Sequence, residues 1–136
     1  QDGTGGFTAF LPWTFKPGNT PLQKRIREHA GPTQYLRMIA FSRLYLDNVP
    51  HIQASWFSEG KKTGQIALHF GADDFGGTLF EENVHAATNF INTTTVEEAI
   101  TLIQEAGFTA AQRTTLYEIL RVFEPVAAWS HHLLTK

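Results

Sequence analysis

Two short apolar segments constrain this chain more than anything else in it. Phe7-Thr8-Ala9-Phe10-Leu11 and Ile52-Gln53-Ala54-Ser55-Trp56-Phe57 read as strands, and neither alternates cleanly between apolar and polar residues. Strands that are apolar on both faces belong to parallel sheets covered by helices on each side. Pro12 stops the first, and Pro17-Gly18-Asn19 marks a loop. Thr20-Pro21 then offers a hydroxyl N-cap and a proline at the first helical position; Gly31-Pro32 breaks that run, and Pro32 starts a second helix through Leu46. In this second helix Leu36, Ile39, Ala40, Arg43 and Leu44 recur three and four residues apart. A further helix is expected around Thr63 to Phe70. Another opens at the capping box Thr95-Val96-Glu97-Glu98 and runs to about Ala106, ahead of Gly107, and a last helix is expected over Thr115 to Phe123. The order strand, helices, strand, helices predicts an α/β fold with parallel pairing. Two strands cannot bury both faces of a sheet, however, and nothing else in the chain reads as a strand. The chain is therefore expected to be part of something larger.

Composition narrows the function classes. The 136 residues are 42% hydrophobic and 18% charged, which excludes a disordered tail or a collagen-like segment and suits one folded unit. A net charge of −2 gives no basic footprint, so nucleic acid is not an expected partner. No apolar run approaches the roughly 20 residues that span a bilayer, and no signal-peptide pattern is present; no membrane partner and a cytoplasmic location are expected. The absence of cysteine removes disulfides, thiolate metal sites and a Cys nucleophile. Among the six histidines no metal-ligand spacing appears. His29 and His69 fall on expected helices, His51 lies beside a strand, and His131 and His132 sit in the tail. Ser55 lacks the nucleophile elbow that a Ser–His–Asp enzyme would need.

Chemistry is expected where parallel strands end, because loops and helix N-termini converge beyond their carboxyl ends. Trp13, Ser55 and Trp56 stand there, with core packing as the alternative role of the two indoles. Gly71-Ala72-Asp73-Asp74-Phe75-Gly76-Gly77-Thr78 is the most unusual stretch. Adjacent carboxylates among small residues suit a hydroxylated ligand approached closely by backbone, or a solvated turn in which an aspartate caps a helix. It lacks the G-x-G-x-x-G spacing of a dinucleotide site. Glu81-Glu82-Asn83 either faces a ligand or opens a helix, where acids complement the dipole.

Three segments together carry a resemblance. Thr4-Gly5-Gly6-Phe7-Thr8-Ala9-Phe10-Leu11-Pro12-Trp13-Thr14-Phe15 with Pro17-Gly18-Asn19-Thr20 is the first. Arg43-Leu44-Tyr45-Leu46-Asp47-Asn48 with Ile52-Gln53-Ala54-Ser55-Trp56 is the second. Gly64-Gln65-Ile66-Ala67-Leu68, Phe70 to Thr78 and Glu81-Glu82-Asn83-Val84 form the third. Their order and spacing resemble the menaquinone-pathway radical SAM enzymes, most closely the cyclic dehypoxanthinyl futalosine synthases, with aminofutalosine synthases and deazaflavin-forming FO synthases as relatives. The resemblance runs to about Leu120 and takes in Ala106 to Thr109 and Gln112-Arg113. Lys16, His51, Asp73 and His85 depart from the family's usual residues, the first three standing where amides are usual.

The resemblance implies an α/β chain that is the C-terminal portion of a partial (β/α) barrel. Residues 1–136 would form a single fragment-like unit: 1–70 the last barrel strands and their helices, 71–136 a closing region of C-terminal helices. The family's cofactors are S-adenosylmethionine and a 4Fe–4S cluster held by C-x-x-x-C-x-x-C in an N-terminal half. A chain without cysteine would bind neither alone, would be inactive alone, and would need that cysteine-bearing half as its partner. The implied reaction generates a 5′-deoxyadenosyl radical, which abstracts a ribose hydrogen of dehypoxanthine futalosine so that the carbon radical closes onto the aromatic ring. The implied substrate-binding residues are Trp13, Ser55, Trp56, Asp73, Asp74, Thr78, Glu81, Glu82 and Asn83, with no metal ligand and no assigned catalytic residue. A sister radical SAM activity and a non-catalytic module that binds a nucleoside-like or aromatic ligand are the rival readings. Open strand edges also point toward a homo-oligomer.

Overall fold

The fold is that of a computed structural model, which describes residues 5–18, 21–26, 28–78 and 92–124. Strands β1 (Ala9–Phe10) and β2 (His51–Ile52) pair in parallel, Ala9 opposite His51 and Phe10 opposite Ile52. On the other edge of β2 a parallel bridge joins Gln53 to Asp74. There Ala54 N donates to Asp74 O at 2.7 Å and Asp73 N to Ile52 O at 3.1 Å. The Gly71–Thr78 stretch thus supplies a parallel neighbour that its glycine-rich composition hides. The fold is mixed α/β, as the order of elements implied.

The expected second strand is shorter than its apolar run. After Gln53 the chain turns into α2 (Trp56–Glu59), closed by Gly60 N donating to Trp56 O at 2.8 Å, so Trp56 and Phe57 are helical. The reason is burial. Trp56 is wholly enclosed, in one core cluster with Tyr35 and Ile39 of α1 (Pro32–Tyr45) and Ala67 and Leu68 of α3 (Lys61–His69). Burying side chains such as Ile39 and Ile52 contributes about 2 kcal/mol each. α3 reaches α2 because Gly64 has no side chain: a Cβ there would stand 2.7 Å from Trp56 Cβ. α1 begins at Pro32 as expected, but it buries Tyr35, Ile39 and Ser42 and leaves Leu44 exposed. Its face is chosen partly by a polar contact, Ser55 N donating to Tyr35 Oη at 2.7 Å.

The expected helix from Pro21 is a single 3-10 turn, Pro21–Lys24, with no buried residue. Without tertiary burial a short helix does not propagate. Thr20 lies outside the described residues, and His29 stands outside any helix or strand. α4 (Val96–Glu105) begins as its cap predicts, Thr95 Oγ1 accepting Glu98 N at 3.2 Å. Gly107 follows it at φ 84°. Glu98 meanwhile holds Lys61 through both carboxylate oxygens at 2.7 Å, tying α4 to α3.

The largest correction concerns 115–123. No helix forms there, and the closing region is not helical throughout. β3 (Ala110–Arg113) and β4 (Ile119–Phe123) make an antiparallel hairpin instead, Ala110 opposite Phe123. Tyr117 at φ 67° cannot sit inside a right-handed helix, and Thr114 N donating to Glu118 O at 2.9 Å closes the turn. The expected helix start at Glu81–Asn83 and the tail from Trp129 lie outside the described residues. Among the described residues no helix is long and apolar enough to cross a membrane.

Candidate functional site

The adjacent acids Asp73 and Asp74 face different partners. Asp73 accepts Ile52 N at 2.8 Å, Arg43 Nη2 at 2.5 Å, and lies 2.6 Å from His51 Nδ1. Partial burial pushes its carboxyl up, but the Ile52 amide, the His51 ring and the Arg43 guanidinium outweigh that and hold it below the usual carboxylate range. His51 and Asp73, two of the positions expected to depart from the resembled family's usual residues, thus contact each other.

Asp74 is buried. Its Oδ2 accepts Arg113 Nη2 and, at 2.9 Å, Tyr117 Oη; its Oδ1 accepts Gly76 N at 3.0 Å. The last bond closes an Asx turn. Gly76 adopts φ 86°, a conformation that favours glycine. The Tyr117 ring stacks on His51 with centroids 3.6 Å apart and planes 2° from parallel, and Arg113 Cζ lies 4.0 Å above the Tyr117 centroid. Burial, the bond to Asp74 and the negative charge of Asp74 push the Tyr117 phenol up to about 12. With three donors already on its oxygens, Asp74 orders the hairpin and the turn. Asp73, 41% exposed at its side chain, remains within reach of solvent.

At the carboxyl ends of β1 and β2 the chain builds a second polar group. Ser55 Oγ donates to Pro12 O at 3.0 Å, and the half-exposed Trp13 sits edge-on to Phe57, centroids 5.0 Å apart at 84°. Next to them Glu59 accepts Thr14 Oγ1 at 2.5 Å, Thr14 N at 3.3 Å, Ser58 Oγ at 2.8 Å and Lys16 Nζ at 3.4 Å. Trp56 stands behind this surface as a core side chain, its Nε1 buried and without a hydrogen-bond partner among the described residues.

A cavity of about 730 Å³ opens between the Ala72–Thr78 stretch, α4 and the hairpin. It is lined by Asp73 and Asp74 with His51, Arg113 and Tyr117, by Thr78, and by apolar side chains of α4 that include Ile100 and Ile103. Its size and mixed lining suit a small organic ligand. Trp13, Ser55 and Trp56 do not line it; they belong to the strand-end group. Glu81, Glu82 and Asn83 lie outside the described residues. Sequence reasoning missed Glu59, Arg113 and Tyr117 as members of these groups. No local motif marks them, since Asp74 meets Arg113 across 39 residues and Tyr117 across 43. Among the described residues no group of three or more His, Asp or Glu side chains could hold a metal ion.

The chain is 48% identical over 127 residues to the cyclic dehypoxanthine futalosine synthase of Streptomyces coelicolor, covering 93% of the chain and 31% of that protein. It is 45% identical to the cyclic dehypoxanthine futalosine synthase of Halalkalibacterium halodurans, over 91% of the chain and 33% of the relative. It is 43% identical to the 5-amino-6-(D-ribitylamino)uracil–L-tyrosine 4-hydroxyphenyl transferase of Methanopyrus kandleri, over 90% of the chain and 35% of the relative. The chain thus spans about a third of the length of the curated relatives it matches. The family model for the CofH/MqnC C-terminal region matches residues 4–126, strand ends, Asp73–Asp74 turn and hairpin included, and the chain belongs to that family.

Proposed function

We propose that this chain forms the substrate-side wall of a radical SAM cyclase that converts dehypoxanthine futalosine to its cyclic form in menaquinone biosynthesis. The observation that carries this reading is the 48% identity to a cyclic dehypoxanthine futalosine synthase across 93% of the chain. The parallel run of β1, β2 and the segment at Asp74 is what the last strands of a partial (β/α) barrel would contribute, with the carboxyl ends facing the reacting centre. At the strand ends Trp13, in front of the core side chain Trp56, offers an apolar face held by Ser55 and Phe57, while the neighbouring cavity offers the Thr78 hydroxyl and, at the amino end of β2 beside Asp74, the reachable carboxylate of Asp73. Glu81, Glu82 and Asn83 follow Thr78 in the sequence and are proposed as further substrate-binding residues. The apolar side of the cavity on α4 and the polar groups that face it suit an aromatic, hydroxylated substrate.

The residues of this chain do not fit the family's iron–sulfur cluster, because no cysteine is present to ligate it. The cluster, and with it cleavage of S-adenosylmethionine, belongs in this reading to a cysteine-bearing N-terminal half. The two halves combined, with the cluster reconstituted and a reductant supplied, are expected to turn dehypoxanthine futalosine into its cyclic product, and the chain alone to give none. Product from tyrosine and 5-amino-6-(D-ribitylamino)uracil instead would assign the sister transferase activity, which the 43% identity supports next. Turnover by the isolated chain would overturn the division of labour. Substrate binding without turnover by the combined halves would make the chain a binding module.

A further inference from the structure

Glu59 is a carboxylate in an uncommon position. It ends α2, its side chain is 3% exposed, and donors from one loop, residues 14–16, converge on a single oxygen. A carboxylate stays buried only where hydrogen bonds and an opposite charge offset its lost hydration. Here Thr14 and Ser58 supply the bonds and Lys16 the charge, and Lys16 Nζ also donates to Thr14 Oγ1 at 2.7 Å.

The loop so gathered holds Trp13. Ser55 pins the residue before it through Pro12 O, Phe57 meets its ring edge-on, and Glu59 pins the residues after it. All three anchors come from one short stretch of chain, 55–59. Trp13, between them, is still 50% exposed. An indole that served only to fill the core would be enclosed, as Trp56 is, and a surface indole would not need anchors on both sides. A rigid, half-exposed aromatic face at the carboxyl end of a parallel strand is a stacking platform for a planar ring.

We infer that Glu59, with Lys16 and Thr14, is a positioning residue that fixes Trp13 as the platform for a flat aromatic ring of the substrate. The inference rests on the proposed substrate-side role and adds to it the residues that set the platform. Glu59 acts through Trp13 and takes no part in the chemistry.

The test labels the chain's three tryptophans with 5-fluorotryptophan and assigns Trp13 in the fluorine NMR spectrum by Trp13→Phe. In Glu59→Ala the Trp13 resonance is expected to move toward the free-solvent position and its acrylamide quenching to rise about twofold, with the buried Trp56 resonance unmoved as the internal check on folding. Thr14→Val removes the short hydroxyl bond without touching the buried acid and is expected to move the same resonance. The pair Lys16→Gln with Glu59→Gln, a neutral hydrogen-bonded replacement, is expected to restore the Trp13 position that Glu59→Ala loses. A Trp13 resonance unchanged in both Glu59→Ala and Thr14→Val overturns the positioning role. With the cysteine-bearing half added, Glu59→Ala is expected to raise KM about tenfold with kcat within about twofold. Should Trp13 move while KM stays constant, the platform stands and its substrate role falls.

Discussion

Asp74 and Glu59 are both buried carboxylates, yet they do different work. Asp74 holds Arg113 and Tyr117, both from the hairpin, whose β4 strand is exposed along nearly its whole length. Beside these bonds, among the described residues, the hairpin is held by the Tyr117 stack on His51 and by Gln104 Nε2, which donates to Phe123 O at 3.4 Å and Glu124 O at 3.0 Å. Glu59 fastens a loop that Ser55 and Phe57 already hold. A buried charge that supplies two of the few polar ties to an exposed element is a stability determinant. One that shares its element with other anchors sets geometry at smaller energetic cost.

Asp74→Ala breaks this contrast most forcefully. It strands the Arg113 guanidinium, whose Nε already lacks a partner among the described residues, and frees the Tyr117 hydroxyl. A loss of about 3 kcal/mol is expected in urea unfolding, as when one member of a buried pair is removed, with hydrogen exchange accelerated first at 110–123. Gly76→Ala should follow, at about 1–2 kcal/mol, because its φ of 86° lies in the left-handed region. The added Cβ would stand 2.5 Å from Gln53 Nε2, the end of a side chain that can swing aside, so the backbone supplies most of the cost. Glu59→Ala is expected to cost only about 1 kcal/mol although its pair with Lys16 is as enclosed as the Asp74–Arg113 pair, because Ser55 and Phe57 still hold the loop and Ser58 Oγ keeps Ser55 O as an acceptor. Equal losses for Asp74→Ala and Glu59→Ala by the same measurement would erase the distinction.

The contrast also explains what the sequence could reveal. Helices α1 and α4 were legible because their signals are local: Pro32 after Gly31 for one, Thr95 with Gly107 for the other. The hairpin was not, since Ile119 to Phe123 has no period that separates an exposed strand from a helix, and its turn depends on a tyrosine at positive φ. The parallel neighbour of β2 rests on one bridge at Asp74, too short for any pattern. At the site, Asp73 and Asp74 drew notice by adjacency, and Trp13, Ser55 and Trp56 by standing at strand ends. Glu59 is one of 13 acids, and nothing around it in sequence announces a partner 45 residues away. Side chains that are recruited by tertiary contact leave no local mark.

Tyr117 sharpens the Asp74 half of the comparison spectroscopically. Its phenol, pushed up to about 12, should appear in an absorbance titration at 295 nm as a late-ionising group missing from Tyr117→Phe. Because the folded value is raised, the associated stability is present below the ordinary phenol value of 10.0 and is lost as pH rises through about 12. Asp74→Asn, which keeps an acceptor but removes the charge, should lower that midpoint without abolishing it.

The smallest effect is expected at Asp73, and it separates the two neighbouring acids from each other. Asp73 is held below the usual carboxylate range by the Ile52 amide, His51 and Arg43, against the upward push of partial burial. A depressed folded value means that its contribution is present above the unfolded carboxylate value, near 4, and is lost as pH falls through the lower folded one. Urea unfolding at pH 7 and again near pH 3 should therefore show part of the acid loss vanish in Asp73→Asn. The side chain is 41% exposed, so solvent screening limits the difference to a few tenths of a kcal/mol. His51 lies between the two acids, bonded to Asp73 and stacked on the tyrosine that bonds Asp74. The charge of Asp73 itself helps raise the Tyr117 phenol, so Asp73→Asn is expected to lower that midpoint slightly; if the His51 ring carries further coupling, the shift will shrink in a His51→Ala background, and if the stack is only contact it will be the same in both.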